Sequence, residues 1–123
     1  AAILLVEDRY STVHAGDSRI YAVDEAQIAQ LTRDDAAADG KLEQYLGRAD
    51  GLQLQYSEAD TSGQSFLLCT DGFYRKMPQE MLRQAAQAKT RAELDALLRS
   101  MCKTVQQRGE RDNISAVLIK TKG

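Results

Sequence analysis

The sequence predicts an α+β fold, in which helices cover one face of a mostly antiparallel sheet. Short apolar segments bounded by turn residues follow one another from Ala1 to Thr70 and are typical of strands. After Pro78 the apolar residues recur with the period of amphipathic helices. A last apolar segment, residues 113–121, predicts a closing strand.

The first part of the chain predicts four short strands joined by tight turns. Residues 1–8 are almost entirely apolar, so we expect this first strand to be buried on both faces. Asp8 and Arg9 are predicted to form the turn that follows it, and "GDSR" (residues 16–19) predicts a tight turn or a bulge. Strands at residues 10–16, 20–24 and 27–32 then complete an antiparallel meander.

The middle of the chain alternates between polar and strand-forming segments. Residues 34–51 are polar and contain three glycines, which predicts a loop with one helical turn near residues 41–46. "LQLQYS" (residues 52–57) alternates with period two, so it predicts a strand with one exposed face. A turn at residues 58–64 is then followed by the buried strand "SFLLCT" (residues 65–70).

Two helices are predicted after this strand. Pro78 suits the first position of the first helix, which should run to about residue 89. Thr90 and Glu93 have the spacing of a capping box, and Gly109 should end the second helix just after Gln107. The apolar face of that helix is formed by Leu94, Leu97, Leu98, Met101, Cys102 and Val105.

Composition narrows the classes of partner. The net charge of −2 argues against nucleic acid or an anionic membrane as the main partner. No apolar run approaches the roughly 18 residues that a membrane span needs.

Cys69 and Cys102 occupy predicted core positions, so we expect reduced, buried thiols in a cytoplasmic protein. Because the chain begins inside an apolar strand, we expect it to be part of a longer protein.

Two carboxylates stand at predicted strand ends. Asp71 follows the buried strand, and Asp112 precedes the closing one. If these strands are antiparallel neighbours, the two carboxylates meet at one sheet edge, where they repel each other unless they share a cation. Oxygen ligands favour Mg²⁺ or Mn²⁺, and Asp17 in "GDSR" is a third candidate ligand. Taken singly, each signal is weak, because Asp-Gly and Asp-Asn pairs are mostly plain turns.

The motifs as a set resemble a known family. "HAGDSRIYAV", "LTRDD", "YLGRA", "FLLCTDGFYRKM" and "ERDNISAVLI" resemble, in this order, the C-terminal motifs of the metal-dependent serine/threonine protein phosphatases (type 2C, the PPM family), bacterial members included. The resemblance implies that residues 1–123 are the C-terminal portion of one phosphatase domain. It also implies an antiparallel β-sandwich flanked by helices, with a binuclear Mn²⁺ or Mg²⁺ centre at the sheet edge. There a metal-activated water attacks phosphoserine or phosphothreonine.

The resemblance also assigns residues. It implies that Asp71 and Asp112 bind the same metal, and that Asp17 helps Asp71 to bind a weaker third one. Gly72 and Asn113 belong to the same motifs as supporting residues. Asn113 either orients the aspartate before it or hydrogen-bonds the loop.

Other polar residues are weighed against structural roles. Arg19 either binds phosphate or, as we expect, braces neighbouring loops through an ion pair. His14 is expected to be structural because it does not match the catalytic histidine of the family. Cys69 is expected to be a core thiol because it lies in an apolar run with no His nearby in sequence. Arg75 and Lys76 could meet a phosphoprotein, but a solvated approach to the helix is the simpler interpretation.

The sequence departs from the family in two places. These 123 residues lack the N-terminal half, with its phosphate-binding Arg and its "DGxGG" aspartate that bridges the two metals. We therefore expect the chain to be inactive alone, as a fragment of an enzyme. Between "LTRDD" and "YLGRA" the chain has only residues 35–44, where relatives often insert a longer flap, and Asp35 stands where a His is usual.

Three hypotheses remain from the sequence. The first is part of a protein phosphatase, with a phosphoprotein substrate and a serine/threonine kinase as candidate partners. The second is a non-catalytic, phosphatase-like binding module in which Asp71 and Asp112 are plain turn residues. The third is a fragment that self-associates through sheet edges and apolar surface left uncovered by the missing half.

Overall fold

The computed structural model describes residues 1–35, 44, 51, 53–61 and 63–121. These residues form seven strands and three helices. The elements are β1 (Ala2–Val6), β2 (Arg9–His14), β3 (Arg19–Val23), β4 (Ile28–Gln30), β5 (Gln55–Asp60), β6 (Ser65–Cys69), α1 (Asp71–Tyr74), α2 (Gln79–Gln87), α3 (Arg91–Gln107) and β7 (Ala116–Lys120). The helical turn predicted at residues 41–46 lies outside the described residues.

The strands form two antiparallel sheets. The first sheet has the order β1-β2-β5 and the second has the order β4-β3-β6-β7. The predicted single meander is therefore wrong at the connection from β2 to β3, where the chain passes from one sheet to the other. The burial patterns give the physical reason. β2 alternates between exposed and buried residues, whereas Ile20–Val23 of β3 are all buried because their strand lies in the middle layer.

The two sheets pack face to face, as the sandwich prediction requires. Tyr10 of the first sheet and Phe66 of the second meet with ring centroids 4.9 Å apart. The apolar cluster around them draws on both sheets and includes Ile3, Leu5, Ala22, Ala59 and Ile119. Burial of this interface provides the main force that holds the sheets together.

The helices cover the other face of the second sheet. Leu82 of α2 and Met101 of α3 are buried in one cluster with Tyr21 and Leu67 of the sheet. The resulting order of layers is first sheet, second sheet, helices, which confirms the predicted α+β class with helices on one side. Among the described helices, none is long and apolar enough to cross a membrane.

Helix ends follow the sequence signals closely. The Thr90 hydroxyl accepts the Glu93 N–H at 3.1 Å, and the Glu93 carboxylate accepts the Thr90 N–H at 3.1 Å, so the predicted capping box is present. Gly109 ends α3 with a φ of +88°, a conformation that suits glycine. Pro78 is the N-cap of α2 and not its first residue, so the helix begins at Gln79, one residue later than predicted.

Three strand predictions need correction. The first strand is buried on one face only, since Leu4 is 63% exposed and Val6 is 57% exposed on the side away from the second sheet. The turn after it lies at Glu7 and Asp8, because Arg9 already pairs with Val6. β5 begins at Gln55, later than the predicted start at residue 52, and continues to Asp60 through residues predicted as turn, because it pairs along the whole length of β2.

Candidate functional site

The ends of β6 and β7 bring two predicted site segments together. The strands are antiparallel, with Cys69 opposite Ala116. Beyond this pair the Thr70 N–H donates to the Ser115 carbonyl at 3.0 Å, and the Ser115 N–H donates to the Thr70 hydroxyl at 3.2 Å. The segment that follows β6 therefore lies beside the segment that precedes β7, at one edge of the second sheet.

Gly72 allows the segment that follows β6 to lie very close to the segment that precedes β7. A β-carbon at Gly72 would stand 2.1 Å from the Asn113 carbonyl oxygen and 3.4 Å from the β-carbon of Asp112. No side chain larger than hydrogen fits there without moving the backbone. Gly72 lies within α1, which begins at Asp71, so it serves the packing of the two segments rather than the predicted turn.

Asp71 and Asp112 use one carboxylate oxygen each in the same way. The Asp71 Oδ1 accepts the Gly72 N–H at 2.9 Å, and the Asp112 Oδ1 accepts the Asn113 N–H at 2.8 Å. Thus the main chain of Asn113, through its N–H and its carbonyl, supports the site. The Oδ2 oxygens of both aspartates remain available for a cation.

The positively charged guanidinium of Arg75 contacts both Oδ2 oxygens. Its Nη2 lies 3.2 Å from the Asp71 Oδ2 and 3.0 Å from the Asp112 Oδ2. One nitrogen atom therefore bridges the two carboxylates, while the Arg75 side chain stays 50% exposed, in keeping with the expected solvated position. The sequence contained a signal for this contact, because Asp71 and Arg75 are four residues apart, the spacing of a helical ion pair.

Glu110 adds a third carboxylate beside Arg75. Its Oε2 lies 3.8 Å from the Arg75 Nε, and its side chain is only 8% exposed. The Glu110 Oε1 accepts the N–H groups of Asp112 and Arg111, at 3.2 and 3.1 Å. These hydrogen bonds, the one from Asp112 first, lower the pKa of Glu110 and hold its carboxylate in place. Sequence reasoning missed this residue.

Asp17 lies near the same edge. Its main-chain carbonyl accepts the Tyr74 hydroxyl at 2.7 Å, which ties the "GDSR" turn to α1. Partial burial, followed by the negative charge of Asp71, raises the pKa of the Asp17 carboxyl.

Arg19 has the bracing role expected of it. Its guanidinium makes a two-pronged ion pair with Asp34, with Nε–Oδ1 at 3.0 Å and Nη2–Oδ2 at 2.7 Å. It also donates to the Tyr21 hydroxyl at 2.9 Å and stacks 3.7 Å above the centre of the Tyr74 ring. The hydrogen bond with Asp34 is the main cause that raises the pKa of Arg19. Arg19 thereby couples the turn that carries Asp17 to the helix that carries Asp71.

Two further residues, His14 and Asp35, contact the main chain of the "GDSR" turn. His14 is buried and its Nε2 contacts the Ser18 carbonyl, in agreement with a structural role. Asp35 is buried as well. Its Oδ2 accepts the Gly16 N–H at 3.3 Å, while its own N–H donates to the Gly16 carbonyl at 2.8 Å. Asp35 therefore fixes the glycine that opens the turn, where φ is +102°.

The donors at this edge fit a hard divalent ion in kind but not in number. Asp71 and Asp112 offer carboxylate oxygens from two segments, the ligand type that Mg²⁺ and Mn²⁺ prefer. In the described part of the chain, however, no group of three or more His, Cys, Asp or Glu side chains is arranged to hold a metal ion. Among the described residues, the Oδ2 oxygens of Asp71 and Asp112 are instead in contact with Arg75.

Solved structures of bacterial phosphatases share this fold. "PppA, a key regulatory component of T6SS in Pseudomonas aeruginosa" superposes with a TM-score of 0.83 and 23% identity, over 96% of this chain and 55% of its own. The serine/threonine phosphatase Stp1 from Staphylococcus aureus gives a TM-score of 0.86 at 15% identity, over 98% of this chain and 55% of its own. The Mycobacterium tuberculosis serine/threonine phosphatase PstP/Ppp gives 0.80 at 21% identity, over 98% and 58%.

The comparisons found similarity to solved structures only. No protein-family model matches the sequence, and no curated protein matches it. The chain spans a little over half the length of the solved structures named above. In fold, the chain corresponds to part of the bacterial PPM-type serine/threonine phosphatases.

Proposed function

We propose that residues 1–123 are the C-terminal portion of a phosphatase domain that hydrolyses phosphoserine and phosphothreonine in proteins. The observation that carries this proposal is the meeting of Asp71 and Asp112 at one sheet edge. A plain pair of turns would not require Gly72 to lie against the Asn113 carbonyl. The likeness in fold to three bacterial phosphatases supports the same assignment.

In the complete domain, Asp71 and Asp112 would contribute ligands to a Mn²⁺ or Mg²⁺ centre, with Asp17 as an accessory ligand. When bound, such a centre supplies an activated water for attack on a phosphate ester. This chain's own residues hold the carboxylates in position: Gly72 sets the approach of the two segments, and Arg19 ties the Asp17 turn to α1. Because the described residues offer fewer than three convergent ligands, we expect no hydrolysis by this chain alone.

The proposed partners follow from the proposed reaction. A phosphoprotein is the substrate, and a serine/threonine kinase that phosphorylates the same substrate is the natural counterpart. The cytoplasm is the proposed location, because Cys69 and Cys102 are free thiols, which are typical of a reducing compartment.

A second candidate is a non-catalytic, phosphatase-like module. One observation favours it, since Arg75 already pairs with both carboxylates and no metal is needed to relieve their repulsion. In that case Asp71 and Asp112 would serve stability through an ion pair at the surface.

Mn²⁺-dependent hydrolysis of a phosphothreonine peptide by the complete protein separates the two candidates. Asp71→Asn and Asp112→Asn should each abolish hydrolysis. Asp95→Asn is the matched control, because Asp95 lies on the exposed face of α3 in an ion pair with Arg99, away from the sheet edge. Hydrolysis that survives both Asp71→Asn and Asp112→Asn, or that is absent from the complete protein, would contradict the enzyme assignment.

A further inference from the structure

Arg75 contacts the two oxygens that a metal would need. We propose that its guanidinium is a resident cation between Asp71 and Asp112, which a divalent metal must displace in order to bind there. This inference rests on the proposed function, because it concerns the same carboxylates. Arg75 then competes with the metal for the two Oδ2 oxygens and raises the metal concentration that is needed to fill the site.

The geometry makes the two cations mutually exclusive. The Arg75 Nη2 is within 3.2 Å of both Oδ2 oxygens, and the Oδ1 oxygens already accept main-chain N–H groups. A metal ion binds carboxylate oxygens at about 2.1 Å and draws them closer together than a guanidinium does. A metal on these oxygens would therefore face a positive charge that uses the same ligands.

Arg75 has room to leave and a second partner to receive it. Its side chain is 50% exposed and extends from the C-cap of the four-residue α1. The Glu110 carboxylate already lies 3.8 Å from the Arg75 Nε and is fixed by the N–H groups of Arg111 and Asp112. The guanidinium can thus release the two aspartates and remain paired with Glu110.

The competition predicts a specific ranking of variants in metal binding. Arg75→Gln removes the competing positive charge, so the full chain should bind Mn²⁺ about tenfold more tightly than the unmodified chain does. Arg75→Lys keeps the charge and should stay close to the unmodified chain. Arg99→Gln is the matched control, since it removes another Arg from an i,i+4 pair with Asp95, on α3, and should leave Mn²⁺ binding unchanged.

Free Mn²⁺ measured by electron paramagnetic resonance during titration of the full chain provides the dissociation constants without any activity assay. Thermal unfolding of each variant by circular dichroism shows whether it is folded. Tighter binding by Arg75→Gln, lost again in the double variant Asp71→Asn/Arg75→Gln, supports the proposal. Arg75→Lys that binds as tightly as Arg75→Gln overturns it, because the charge would then not be the cause.

Two other outcomes separate this inference from the proposed function. Equal Mn²⁺ binding by Arg75→Gln and the unmodified chain, with loss in Asp71→Asn, overturns the competition and leaves the metal role of the aspartates intact. Absence of Mn²⁺ binding in every variant overturns the competition in this chain, whereas the proposed function is tested separately by hydrolysis in the complete protein. If Arg75→Gln is unfolded, Glu110→Gln serves instead. It removes the second partner of Arg75 and should weaken Mn²⁺ binding, and unchanged binding by this variant overturns the proposal.

Discussion

Gly72 and Asn113 approach so closely that a β-carbon on Gly72 would stand 2.1 Å from the Asn113 carbonyl oxygen. This contact joins the helix that begins at Asp71 to the segment that carries Asp112. It explains why a glycine follows Asp71, and it links the stability of the edge to the placement of the carboxylates.

Gly72→Ala should therefore destabilise the chain by about 1–3 kcal/mol, the usual cost of forcing an extra carbon into a packed site. Urea unfolding followed by circular dichroism measures this change. Gly51→Ala is a useful comparison, because Gly51 has a φ of +98° but nothing within 4 Å of the added carbon. An unfolding free energy for Gly72→Ala equal to that of the unmodified chain would show that the segments can part without cost.

Arg19 and Asp34 should be energetically coupled. Their ion pair is partly buried, with side-chain exposures of 25% and 29%, so Arg19→Ala should cost about 1–2 kcal/mol of stability. In a double-mutant cycle, Arg19→Ala and Asp34→Ala should show a coupling of about 1 kcal/mol. The exposed pair Asp95 and Arg99 is the control and should show about 0.3–0.5 kcal/mol. Strict additivity of the Arg19 and Asp34 substitutions would contradict the bracing role.

Cys69 should be an unreactive thiol in the native chain. Burial raises its pKa to about 12, from the ordinary value of 9.0. Because the unfolded thiol loses its proton first, its contribution to stability is complete below pH 9 and declines as the pH rises from about 9 to 12. Alkylation with iodoacetamide at pH 8, located by mass spectrometry, should spare Cys69 until urea is added. Equal alkylation rates with and without urea would refute this expectation.

The outer face of the first sheet should promote self-association of the chain. Leu4 and Val6 on the edge strand β1, together with Tyr56 on β5, are 57–64% exposed. Unpaired edge strands with apolar side chains readily pair with another chain. Leu4→Lys should therefore lower the apparent mass in light scattering at high protein concentration. Val117→Lys, on β7, is the control, and an equal effect of both substitutions would place the contact elsewhere.

Local signals in the sequence predicted the local structure well. Thr90 and Glu93 specify a capping box through contacts three residues apart, and Gly109 ends the same helix through its own backbone conformation. The antiparallel pairing of β6 and β7 was only a condition for the meeting of Asp71 and Asp112, and the structure meets that condition. The resemblance in motifs then supplied the sandwich, which local patterns alone did not contain.

Long-range features escaped sequence reasoning for physical reasons. The tight turn at "GDSR" suggested pairing of β2 with β3, but burial of β3 between the first sheet and the helices places them in different sheets. Glu110 looked like an ordinary polar residue, and Asp35 stood out only as a departure from the family, because the partners of both are set by tertiary packing. Arg75 could have been found from its spacing to Asp71, although its contact with Asp112 depends on the register of two strands.

The central claim is that Asp71 and Asp112 together hold a metal in the complete protein. Anomalous diffraction from crystals of the complete protein soaked in MnCl₂ tests it most directly. We predict a manganese peak in contact with the Oδ2 oxygens of both aspartates, with the Arg75 guanidinium moved away from them. A peak that touches neither aspartate, or saturating Mn²⁺ with Arg75 still bridging both, would contradict it.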